Sequence, residues 1–172
     1  MKRLLIMVVV LAGCGDTEPK EPAHQAAVLE AIGDIAGEEV GLSLELRTLV
    51  WSYVNREQIK INLSSERDPG KVAVMSAELS ETSAEHLRDV SAFEQSCKKI
   101  ELLAKGGPDW TKEDHDELGK YSSPALLAVK KMQANQFQAI RAADVYLAAV
   151  RSGERRSEMH AWYLQTLDDL TR

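Results

Sequence analysis

The chain has 172 residues with 21 Lys and Arg against 27 Asp and Glu, a net charge of −6. That length is enough for one domain with a real core, and an acidic balance excludes a surface built to neutralise nucleic acid phosphates or anionic lipid. Aromatics are only 5% of residues; period-2 alternation is nearly absent, and the balance is that of a helical protein.

In chain order, Lys2 and Arg3 precede an uninterrupted apolar run, Leu4 to Leu11. The run is long enough for the apolar region of a signal peptide and too short to span a bilayer as a helix. Leu11-Ala12-Gly13-Cys14 follows. This stretch resembles the lipobox of bacterial lipoproteins, in which small residues admit a membrane peptidase and the thiol carries the diacylglycerol. The resemblance covers about the first fifteen residues. It implies removal of residues 1–13, thioether lipidation of Cys14 and acylation of the new amine. One acyl chain holds a protein only marginally, whereas two or three hold it firmly. Gly15 follows the cysteine and Asp16 comes one later; the sorting rule of enterobacterial lipoproteins then favours the outer membrane, facing the periplasm, over the inner membrane.

The mature chain of 159 residues would carry −8, because the leader holds two basic residues and no acidic one. Cys97 is the only other cysteine, so no intramolecular disulfide forms even in an oxidising compartment. Residues 14–23 read as the lipidated cysteine and a polar, two-proline tether that keeps the domain close to the bilayer, and residues 24–172 as one helical domain.

Ala27 to about Ser64 reads as helical, with Val28, Ile32, Ile35, Leu42, Leu46, Leu49, Val50, Tyr53 and Val54 as its apolar set. Gly33, Gly37 and Gly41 fall four apart within it. Two readings stand: a smooth stripe that admits another backbone, or a break into a short and a long helix, which the cost of glycine in a helix favours. SSERDPG is a turn, with Asp68 as cap and Pro69 at the first helical position. Residues 71–105 then carry Val72, Met75, Leu79, Thr82, His86, Val90, Phe93, Cys97, Ile100 and Leu103 in threes and fours, the pattern of an amphipathic bundle helix.

GGPD stops that helix. Thr111 and Asp114 resemble a capping box opening a short acidic helix, and Ser123-Pro124 starts another that runs to residue 152 on Leu127, Val129, Met132, Phe137, Ile140, Leu147 and Val150. A last helix, about 155–171, uses Met159, Trp162, Tyr163, Leu167 and Leu170. Long elements joined by short turns, with no repeat of 20–50 residues, predict an all-α, up-and-down bundle of about four long amphipathic helices and a short extra one.

Candidate chemistry is sparse. His86 and Cys97 share an apolar face about 16 Å apart along the axis, too far for one metal, and both read as core. Glu113, Asp114, His115 and Glu117 supply oxygens and an imidazole for a divalent cation, but the helix dipole explains an acidic first turn equally well. No Cys-x-x-Cys-His, nucleophile elbow, phosphate loop or zincin motif occurs, so no cofactor and no enzymatic class is assigned. The pairs Trp51-x-Tyr53 and Trp162-Tyr163 read first as core, and second as partner anchors. The resulting expectation is a lipid-anchored envelope protein that binds another envelope protein, as pilotin-like, accessory or immunity-type lipoproteins do. Gly33, Gly37, Gly41, Trp162 and Tyr163 are its candidate contacts, and a periplasmic module for a small ligand or metal is the alternative.

Overall fold

The computed structural model describes residues 22–153 and 156–172. They form an all-α bundle of four helices: α1, Pro22–Ser65; α2, Pro69–Leu103; α3, Lys112–Ser152; and α4, Arg156–Thr171. The expected leader and lipobox, with Cys14, lie outside the described residues.

Cross-helix contacts fix the topology. His86 meets Ser52, Ser96 meets Glu45 and Lys99 meets Glu38, so α2 runs antiparallel to α1. Glu57 and Ile61 share a depression with Asp144, Ala148 and Arg151, so α3 runs parallel to α1. Asn135 donates to the Leu170 carbonyl and Arg47 pairs with Asp168 at 2.5 Å, so α4 descends against α3 and α1. The bundle is therefore up-down-up-down. Its core gathers Ile35, Leu42, Leu46, Leu49 and Val50 from α1, Phe93, Cys97 and Ile100 from α2, Leu118, Val129 and Leu147 from α3, and Tyr163 and Leu167 from α4.

The turns follow local chemistry. Asp68 accepts from the Lys71 amide at 2.9 Å with Pro69 at the start of α2. The α3 capping box is present: the Asp114 amide donates to Thr111 Oγ1 at 3.3 Å, and the Thr111 amide donates to Asp114 Oδ2 at 3.0 Å. Gly153 closes α3 at φ 77°, in the left-handed region that suits glycine.

Three expectations are corrected. The glycines do not break α1, which is continuous through all three from within the expected tether to Ser65. The short acidic helix and its successor are one element, with Pro124 inside it. The reason is register: Asp114, Leu118, Ser122, Ala125, Val129 and Met132 are buried at spacings of four, four, three, four and three, so one face crosses the proline without interruption. The bundle thus has three long helices and a fourth of 16 residues. Finally, Leu127 and Phe137 point outward at 69% and 74% exposure, and alanines take the interior side of α3 instead: Ala125, Ala139, Ala142 and Ala143 are buried.

Pro124 is exposed and lacks the donor an interior helical residue supplies. Pro124→Ala is expected to raise stability by about 1–3 kcal/mol, below the full interior-proline penalty because the native helix has adapted to it. Urea unfolding checks this, and a loss of stability would mean that the helix depends on the proline.

Candidate functional site

The first helix has two apolar faces. One is core. The other carries Leu29, Val40, Leu44 and Trp51, with Val40 82% exposed, Leu44 67% and Leu29 62%. On a helix advancing 100° per residue these four fall within about 60° of one another, with Gly33 and Arg47 among them and Gly37 at their edge. Their span is about 33 Å. Methyl groups built on Gly33 and Gly37 would meet nothing within 4 Å, and one on Gly41 would reach only Glu45 Oε1 at 4.0 Å. Among the described residues nothing packs on Gly33 or Gly37, so these glycines neither break the helix nor seat a described neighbour.

Beside this face runs the groove between α1 and α2, lined by Glu38, Glu45, Ala92, Gln95, Ser96 and Lys99. Lys99 Nζ donates to Glu38 Oε1 at 2.6 Å. That bond holds the Glu38 carboxyl below its usual range and raises the lysine. The Ser96 hydroxyl donates to Glu45 Oε1 at 2.9 Å, while Glu45 Oε2 is buried with no hydrogen-bond partner among the described residues. Asp89, two turns before Ser96 on the same side of α2, has its Oδ2 in the same condition. Residues 22–46 hold five carboxylates and no lysine or arginine. The first half of α1 is consequently rich in carboxylates, with Lys99 standing on its α2 side against Glu38 and Arg47 falling on the outer face between Leu44 and Trp51.

A second exposed surface joins α3 to α4. Trp162 lines a depression with Gln138, Arg141, Ala142, Val145, Thr166 and Leu170. Phe137 stands beside it with Ile140 and Arg141. The aromatic pairs split accordingly. Trp162 and Trp51 are exposed at 43% and 46%, against the core reading. Tyr163 is core, its ring stacked on Tyr146 at 5.1 Å between centroids, and burial pushes its hydroxyl up to about 12.

The cation candidates serve local structure. Asp114 is buried in the capping box, Glu117 Oε2 accepts from Lys120 at 2.5 Å, and the His115 ring lies 6.0 Å from that of Trp110. Glu113 is an exposed first-turn acid of α3. No group of three or more His, Cys, Asp or Glu residues is gathered for a metal among the described residues. His86 is a core residue with polar company. Its Nδ1 lies 3.1 Å from Ser52 Oγ, and its ring is 5.7 Å from that of Tyr53, whose hydroxyl donates to Asp144 at 2.5 Å. Desolvation and the nearby Arg56 depress the imidazole below its ordinary range. Burial, assisted by Glu101 and Glu45, pushes the Cys97 thiol up to about 11, which makes it a poor nucleophile.

Sequence reasoning missed the outer face of α1. Its signal was present: Leu29, Val40 and Leu44 sit on the side opposite Ile35, Leu42 and Leu46, and a helix apolar on two sides has more to cover than one core supplies. Among the described residues, no helix is long and apolar enough to cross a membrane. Compared with protein-family models, with curated proteins and with solved structures, the chain matches none.

Proposed function

We propose that this protein is an envelope lipoprotein that acts by binding another envelope protein, held through lipidated Cys14 and facing the periplasm, in the outer membrane by the residue after the cysteine. The lipobox stretch Leu11-Ala12-Gly13-Cys14 supports the anchor. The observation that carries the binding role is the exposed apolar face of α1, with Val40 at 82% exposure on a helix whose opposite side already fills the core. Large apolar side chains exposed along one helix face, beyond those its core uses, support an interaction site. An accessory, assembly or immunity-type role fits such a scaffold.

The anchor is tested by Cys14→Ser. Without the thiol no lipid is attached, and the expected result is an uncleaved or soluble product in fractionated envelopes, with an intact mass that lacks the acyl groups. A variant that stays tightly membrane-bound with unchanged mass contradicts the anchor. The binding role is tested by crosslinking in the native envelope with affinity capture and mass spectrometry: one dominant, stoichiometric partner is expected, and background alone contradicts it.

A further inference from the structure

We infer that His86 is an acid-sensitive latch: protonating its buried imidazole frees the first half of α2, residues 69–85, from α1. This goes beyond the binding role proposed above and does not depend on it.

The latch sits at a boundary in the packing. His86 is the first buried residue of α2, and Phe93, Ser96, Cys97 and Ile100 follow it. From Pro69 to Glu85 nothing on the helix is buried, and Val72, Met75, Leu79 and Thr82 are only half-buried. A segment held by half-buried contacts opens at lower cost than one held by a packed core. The part of α1 opposite it has other support, because Glu57 and Ile61 line a depression with Asp144, Leu147 and Ala148 of α3. Opening therefore adds Val72, Met75 and Leu79 to the surface beside Val74, which is already 68% exposed.

The imidazole has no partner for a second proton. Ser52 Oγ lies 3.1 Å from Nδ1, and its own hydrogen goes to the Leu49 carbonyl at 3.0 Å. The hydroxyl oxygen thus accepts from Nδ1, and the neutral ring leaves Nε2 bare. Acid fills Nε2, which makes no hydrogen bond among the described residues. The charged groups around the ring come from three helices. From α1, Arg56 lies over the Tyr53 ring, itself 5.7 Å from His86, and Glu57 is shared by Arg56 and Lys60. From α2, Asp89 stands about one turn along, its Oδ2 buried with no hydrogen-bond partner among the described residues. From α3, Asp144 accepts from the Tyr53 hydroxyl. Among the described residues α4 makes no contact with α2. Burial and Arg56 oppose the imidazolium, and the Leu49 carbonyl, Asp89 and Glu57 favour it less strongly. The folded protein therefore takes this proton less readily than the unfolded chain. Stability is whole above the ordinary imidazole range and falls as pH drops below it.

The test is hydrogen–deuterium exchange read by mass spectrometry on the full-length protein in mild detergent, from about pH 7.5 to about 5, across the imidazole range, with the intrinsic pH dependence of exchange removed. Peptides within 69–85 should lose protection as pH falls, by at most about tenfold per pH unit, the limit for one proton. Peptides within 93–103 and 125–147 should keep theirs. His86→Gln should abolish the response, and His160→Gln should leave it intact. An NMR titration of the native imidazole needs no variant to fold: His86 should titrate below the ordinary range, together with the loss of protection. Protection independent of pH, loss spread equally over all helices, a response that survives in His86→Gln, or titration of His86 at or above the ordinary range overturns the inference.

Discussion

Phe93→Ala should cost about 3–5 kcal/mol of stability, the range for truncating a fully buried phenylalanine. Phe93 is 1% exposed and lies on α2 with Cys97 and Ile100, in the cluster that includes Leu42, Leu46 and Leu49 of α1. The long α1–α2 hairpin depends on this seam. Deleting the ring removes transfer energy and leaves a cavity that rigid helices on both sides cannot close. For a chain of this size that lowers the melting temperature by roughly 6–20 °C. Thermal and urea unfolding followed by circular dichroism measure it. A loss below about 1 kcal/mol would mean that α2 does not pack as described.

Replacing Gly33, Gly37 and Gly41 together by alanine should stabilise the protein, by about 2–3 kcal/mol. Each alanine gains about 0.8–1.0 kcal/mol of helix propensity over glycine, and the added methyls meet open space at positions 33 and 37 and ordinary contact at 41. All three lie inside a continuous helix. Under the proposed binding role, glycines that weaken their own helix leave room for what approaches from outside. The same variant should therefore hold its partner less well while melting higher. A triple variant of lower stability would contradict the solvent-facing placement of the glycines.

The parts of this fold that were readable share one property: their apolar residues lie on a single stripe. On α2 the run from Val72 to Leu103 alternates threes and fours, and its members are buried or half-buried, His86 and Cys97 included. The turn at Asp68-Pro69 and the capping box at Thr111 and Asp114 were readable because capping requires particular side chains at fixed offsets. Two kinds of feature were not readable. Pro124 carries a local stop signal, and only the burial of Leu118 and Ser122 before it and Ala125 after it outweighs that signal. On α3, weight given to bulky residues placed Leu127 and Phe137 inside, although Leu127 stands two positions from Val129 and cannot share its face. Alanines share the interior of α3 with Leu118, Val129, Met132 and Leu147, and their small side chains let neighbouring helices close in.

The candidate site was half legible. The glycine spacing stood out in the sequence, but whether it broke the helix depended on the hairpin with α2, a tertiary contact. The acidic groove depends on pairs 51 and 61 residues apart, Glu45 with Ser96 and Glu38 with Lys99, which no local pattern displays.

The measurement that bears most directly on the central claim is site-specific photo-crosslinking in intact envelopes, with the photoreactive side chain placed at Val40 in one strain and at Leu127, exposed on the outer side of α3, in another. The account predicts one dominant protein adduct from Val40 and none from Leu127. Adducts only to lipid, only to a second copy of this chain, or equally from both positions would contradict it.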